Sequence, residues 1–198
     1  MSLADWDFHD WLNHGLDNAV YVSSPSSLRC YAAVTGEVRI GAACRSSDTL
    51  NLPEGRIETQ WRHTDFTSSP KYPLVFFRMQ SALGALDRDN QYVVRINNTQ
   101  AIAEKCVGGS WSTLGTWSRS HNVDTWYRER ITWWKEGDSL AIRYEYWDGS
   151  QWVIVGSDIY DNSPSFEGST QNRCGVGQYS NTASADYSHF DDTIIEGP

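Results

Sequence analysis

The sequence predicts an all-β fold, a two-sheet antiparallel β-sandwich of the jelly-roll kind, occupying residues 1–198 as a single domain. Three observations predict it. Short alternating segments recur along the chain, separated by turn residues such as Gly and Asn. Convincing helix signals are absent; Trp6–Leu16 could form one helical turn but reads equally well as an entering strand and loop. The segment Trp126–Trp147 reads as one long β-hairpin. At 198 residues the chain can bury a sizeable core without help from disulfides.

Taken in order, Ser27–Val34 and Glu37–Ala43 flank Thr35-Gly36, which suits a tight hairpin turn. Arg56–Arg62 alternates Ile57, Thr59 and Trp61 against Arg56, Glu58, Gln60 and Arg62. Leu74–Gln80 is a strongly apolar run, and Gln91–Asn97 alternates Tyr92, Val94 and Ile96 against Val93, Arg95 and Asn97. Ala101–Lys105 is a short strand, and Gly108-Gly109 marks a turn. After the long hairpin come Trp152–Val155, Gly175–Tyr179 and the closing stretch His189–Gly197.

Successive strand residues point to opposite faces. In the hairpin this places Tyr127, Ile131, Trp133, Leu140, Ile142, Tyr144 and Tyr146 on one side, against Trp126, Arg128, Arg130, Thr132, Arg143, Glu145 and Trp147 on the other. If one phase of alternation runs across a shared sheet, Arg56, Arg62, Arg78, Arg95, Arg128, Arg130 and Arg143 share a face with only Glu58 and Glu145. Pairing Trp134 with Ser139 sets Arg130 opposite Arg143 and Arg128 opposite Glu145. Like charges placed directly opposite destabilise a sheet, and such a broken local rule points to a functional site. The reading is a groove for an oligo- or polysaccharide, acidic or hydroxyl-rich. Arg56, Glu58, Arg62, Arg78, Arg95, Arg128, Arg130, Arg143 and Glu145 would contact it, and Trp126 and Trp147 would stack on sugar rings. The competing reading is a solvated salt-bridge ladder, with each glutamate bridging two arginines.

The net charge of −9 argues against non-specific binding to nucleic acid or to anionic membranes. Only Lys71, Lys105 and Lys135 are lysines among the 16 basic residues, so arginine, whose rigid donor fork matches planar anions, dominates. Cys30, Cys44, Cys106 and Cys174 follow no zinc spacing; two disulfides are permitted, and buried thiols serve equally well. No stretch is apolar and long enough to span a bilayer. No signal peptide is visible, and the expected setting is extracellular or a virion surface. One sequon occurs, at Asn97-Asn98-Thr99, a frequency expected by chance.

Three pieces carry a family resemblance: the GRIETQWR strand followed by an apolar and a YVVRI strand; the WYRERI unit with its LAIRY partner; and Gly175-Val176-Gly177 ahead of the closing FDDTII strand. In this order, over residues 19 to 196, the chain resembles the concanavalin A-like lectin/glucanase superfamily, including its laminin G-like members. The resemblance implies a two-sheet jelly roll with a concave face that often binds glycans. It also implies a structural calcium near the final strand, so Asp191 and Asp192 become candidate ligands, with Asp7 contributing from the other end of the chain.

Glucan-cleaving members carry E-x-D-x-E or E-x-D-x-x-E on a central strand, and no matching strand here does. Asp5-x-Asp7-x-x-Asp10 is the nearest pattern and lies at the extreme N-terminus. Flanking arginines make Glu58 and Glu145 poor general acids. GRIETQWR loosely resembles the arginine-bearing strand of jelly-roll polysaccharide lyases, but their Tyr and His partners are not identifiable by motif. His9, His14, His63, His121 and His189 do not cluster in sequence and read as loop or surface residues. The leading expectation is therefore a non-catalytic lectin-like domain. A virion or cell-surface adhesion module comes second, and a polysaccharide hydrolase or lyase third.

Overall fold

The computed structural model describes residues 6–8, 13–17, 19, 22, 27–31, 39–45, 51–66, 71–80, 89–169, 172–180 and 188–197, with backbone alone for 6–8, 13–17, 31, 39–45, 71 and 180. In chain order its strands are β1 (Trp6–Phe8), β2 (Asn13–Asp17), β3 (Ser27–Tyr31), β4 (Arg39–Arg45), β5 (Gly55–His63), β6 (Lys71–Gln80), β7 (Gln91–Ile96) and β8 (Gln100–Val107). They continue with β9 (Ser110–Ser118), β10 (Tyr127–Glu136), β11 (Ser139–Trp147), β12 (Trp152–Ile154), β13 (Ile159–Asp161), β14 (Asn172–Ser180) and β15 (Ser188–Glu196). No helix occurs among the described residues.

The strands form two antiparallel sheets. The first runs β1-β4-β14-β6-β7-β8-β9 and the second β12-β11-β10-β5-β15-β3-β2, with β13 also paired to β11. The alternation of apolar residues decides which faces meet. Val75, Phe77, Tyr92, Val94, Cys174 and Val176 of the first sheet bury against Ile57, Trp61, Ile131, Trp133, Ile142 and Tyr144 of the second. Phe77 and Trp133 stack across the interface at 4.7 Å between ring centroids. This is the two-sheet jelly roll expected from the strand pattern.

Several expectations need correction. β3 belongs to the second sheet and β4 to the first, so the two do not form a hairpin; Thr35-Gly36 lies outside the described residues. β9 and β13 were not anticipated. β9 is an edge strand rich in Ser, Thr and Gly, so it lacks the apolar alternation of a half-buried strand. The hairpin register also differs. Gly137-Asp138 forms a two-residue turn closed by Glu136↔Ser139, with Gly137 at φ +63°, a left-handed conformation that glycine adopts without steric cost. Arg130 therefore faces Glu145, and Arg143 faces Thr132. The expected like-charge confrontation is replaced by an ion pair. Cys30, Cys106 and Cys174 are buried and form no disulfide with one another.

The outer face of the second sheet as candidate functional site

Three of the expected arginine-bearing strands, β5, β10 and β11, are neighbours in the second sheet. Cross-strand pairing puts their outward residues in rows. One row reads Ile154, Glu145, Arg130, Glu58 and Ile194 across β12, β11, β10, β5 and β15. Each arginine of these three strands has its own carboxylate. Arg130 donates from Nε and Nη2 to the two oxygens of Glu145, at 2.8 and 2.7 Å. Arg143 holds Asp158 in the same bidentate way, at 2.8 Å for both bonds. Arg128 donates to Oε1 of Glu58 from Nε at 2.7 Å and also from Nη2. Arg62 pairs with Asp124, and Arg56 with Glu196. The five guanidiniums do converge on one wall, yet it is a wall of closed ion pairs, with one arginine per glutamate.

Tryptophans frame these pairs. Trp147 and Trp152 meet edge to face at 5.6 Å, as the Trp147↔Trp152 pairing of β11 and β12 dictates. The Arg128 guanidinium lies 5.0 Å from the Trp147 ring centre, and that of Arg130 lies 4.3 Å from Trp152. Both distances fall within cation–π range. Arg143 lies 5.0 Å from Trp134. Trp126 contacts His189 at 6.5 Å near Arg62, away from Trp147. Trp152 and Trp134 were not singled out by sequence. The alternating phase places Trp134 on this face, but Trp152 reaches it only because β12 pairs back onto β11.

Beside the tryptophans lies a groove of about 340 Å³ lined by Glu58, Gln60, Arg128, Asp192, Thr193 and Ile194. Its far wall exists because β15 bulges between Asp191 and Ile194, with Asp192 at φ +45°. The bulge turns Asp192 outward, where its Oδ2 accepts a 2.7 Å hydrogen bond from the Gln60 amide. A second hollow of about 360 Å³ at the Arg56–Glu196 end of the face is lined by residues that include Gly55, Thr132, Trp133, Trp134 and Gly197.

Two expected members lie elsewhere. Arg78 sits in the first sheet at a bulge, where Met79 pairs with Arg173 but Phe76 with Gly175. The extra residue breaks the alternation, and Arg78 at φ +48° turns inward, buried, to donate to the carbonyls of Pro53 and Ser165. Burial lowers its pKa from the ordinary value. Arg95 lies on the outer face of the first sheet, paired with Glu104 and set over the stacked rings of Tyr72 and Tyr179. The floor beside it, Leu74, Phe76, Met79 and Val93, is fully buried.

Among the described residues, which leave out the Asp7 side chain, no group of three acidic, histidine or cysteine side chains is placed to hold an ion, and the calcium expectation for Asp191, Asp192 and Asp7 is not tested by this. Asp191 is buried and accepts backbone N–H bonds on both oxygens, from Val22 at 2.8 Å and Asp192 at 2.9 Å. Asp7 belongs to β1, an edge strand of the other sheet.

Sequence reasoning missed a buried polar network. Glu129 faces inward from β10, between the two outward arginines. Its Oε2 accepts from Trp61 Nε1 at 2.7 Å, and its Oε1 lies 2.8 Å from Arg119 Nε and 2.9 Å from His121 Nε2. His121 Nδ1 faces the Asn97 carbonyl at 2.8 Å. Burial pushes the Glu129 carboxyl up, but the hydrogen bond and charge of His121, with help from Tyr144 and Arg119, hold it below the ordinary value of 4.5. His63 and His189, like His121, are buried rather than superficial. The alternation of β10 predicts Glu129 inside; what the sequence conceals are its partners, brought from remote positions.

No protein-family model and no curated protein matches the chain by sequence. Solved structures do match. Carbohydrate binding module CBM66 from Bacillus subtilis superposes with a TM-score of 0.60 at 14% identity, covering 96% of each chain. The Emp47p carbohydrate recognition domain gives 0.62 at 11% identity, over 98% of this chain and 89% of that one. Alginate lyase A1-II′ gives 0.61 at 8% identity, over 99% and 96%. Identities this low speak to architecture alone. With its two antiparallel sheets and strand order, the chain has the concanavalin A-like jelly-roll fold.

Proposed function

We propose that this chain is a non-catalytic carbohydrate-binding domain whose ligand lies across the outer face of the second sheet. The observation that carries the reading is the half-buried pair Trp147–Trp152 standing beside the groove of Glu58, Gln60, Arg128 and Asp192. Aromatic faces take the apolar faces of sugar rings, while acceptors and donors fixed beside them take hydroxyls. The cation–π and ion-pair contacts hold these side chains in place before any ligand arrives, which lowers the ordering cost of binding. That the same fold serves a carbohydrate binding module and a carbohydrate recognition domain fits this reading.

Two features favour this face and this chemistry over the alternatives. The outer face of the first sheet has a buried floor rather than an open one. A glycosidase needs one carboxyl that is protonated and aimed at the bond to be cut, whereas Glu58 and Glu145 each accept hydrogen bonds from an arginine. The test is binding by the intact chain to a polysaccharide panel, compared with Trp147→Ala and Trp152→Ala. Loss of one stacking ring should weaken binding about tenfold, which falls within the roughly 1–3 kcal/mol of a nucleobase stacked on an aromatic side chain. Unchanged binding in both variants would remove this face from consideration.

A further inference from the structure

We infer that this face takes an uncharged, hydroxyl-rich glycan rather than an acidic one, an inference that rests on the carbohydrate reading above. The argument is electrostatic. The five arginines of β5, β10 and β11 carry one carboxylate each: Glu196, Asp124, Glu58, Glu145 and Asp158. Asp192 adds a sixth acid at the groove wall, so these five arginines meet at least as many carboxylates as they number. The whole chain carries −9. A uronate or sulfate could bind the remaining N–H groups of a guanidinium only against the charge of its resident carboxylate, or else by displacing that carboxylate. Displacement would leave a carboxylate of Glu58 or Glu145, both buried at the foot of the face, without its counter-charge.

Hydroxyls face no such barrier. A sugar diol can donate to a carboxylate and accept from the neighbouring guanidinium while the ion pair stays closed. The groove is arranged for this. Both Arg128 bonds fall on Oε1 of Glu58, so Oε2 remains as an acceptor. Gln60 and Asp192 lie one and two strands further on, opposite the tryptophans. The row from Trp152 through Trp147, Arg128 and Gln60 to Asp192 crosses five strands, roughly 19 Å at the usual strand spacing. That span suits a short oligosaccharide lying across the strands, with its ring faces on tryptophan at one end and its hydroxyls on paired charges at the other.

The experiment is calorimetry of the intact chain against neutral polymers (laminarin, xylan, mannan, pullulan) and anionic ones (alginate, polygalacturonate, heparin), each at low salt and at 0.5 M NaCl. The variants are Trp147→Ala, Gln60→Ala and the double variant Glu58→Gln with Glu145→Gln. Folding of each is checked by its melting transition, and Gln60→Ala, a truncation of a half-buried polar side chain, serves if a tryptophan variant fails to fold. The expected result is binding to at least one neutral polymer with less than a twofold change on adding salt, weakened tenfold by Trp147→Ala. The double variant, freed of two carboxylates, should gain affinity for the anionic polymers. Salt-sensitive binding of an anionic polymer in preference to every neutral one, lost in Trp147→Ala, would overturn the neutral-ligand inference and leave the face as the site. Absence of binding to any polymer, or binding indifferent to Trp147→Ala and Gln60→Ala, would overturn the reading of the face itself.

Discussion

Glu129 is the residue whose removal should cost most for its size. It is an ionised carboxylate in the sandwich interior, satisfied by Trp61, Arg119 and His121. Glu129→Leu strands Arg119 and His121 without their shared acceptor, and a loss of about 3–5 kcal/mol follows from breaking a buried charge network on one side; urea titration of both proteins measures it. The pH dependence has a defined sign. Because the folded carboxyl ionises below its ordinary 4.5, its contribution is complete above pH 4.5 and drains away as the pH falls through the folded value. Melting midpoints taken from pH 6 downward should fall steeply below 4.5, and Glu129→Gln should flatten that fall. Cys30 gives a second prediction. Burial pushes its thiol up to about 12, so the thiolate that reacts with disulfide reagents is scarce at neutral pH. Cys30 should resist such a reagent in the native chain and titrate at once in denaturant.

The strands show which parts of this architecture can be read in one dimension. β5, β10 and β11 are legible because their apolar residues alternate and bury on one side, and β7 because Tyr92, Val94 and Ile96 alternate into the core although Val93 is buried on the opposite face. Trp133, fully buried and stacked on Phe77, should cost about 3–5 kcal/mol when cut to Ala, as read from the shift in denaturation midpoint. Register is harder to read, because it depends on which two residues make the turn. Placing the turn at Gly137-Asp138 instead of around it moves every cross-strand partner by two positions and converts Arg130 opposite Arg143 into Arg130 opposite Glu145. Bulges are harder still. One extra residue in β6 sends Arg78 inward, and one in β15 brings Asp192 to the groove. The candidate site was therefore legible as a set of outward arginines and tryptophans. Its ion pairing was not, since Asp158, Asp124 and Glu196 come from segments whose place in space only the topology decides.

The assembled sandwich places the acidic surplus and the calcium question in context. Calorimetric melting with and without EDTA tests the calcium expectation at Asp191 and Asp192: a lower midpoint in EDTA supports a bound ion, and no shift counts against one. The order of the second sheet has a kinetic consequence. β15 lies between β5 and β3, bonded to both. A strand that follows all the other members of its sheet in the sequence is thus the one that joins β5 to β3. Until it arrives, β5 and β3 each present an open hydrogen-bonding edge to any passing chain. A nascent polypeptide halted before Ser188 should be prone to association and protease-sensitive. Contacts spanning more than half the sequence, such as Phe190 with Leu28, should place refolding of the finished chain in the slow regime of non-local β-topologies, on the order of milliseconds to seconds.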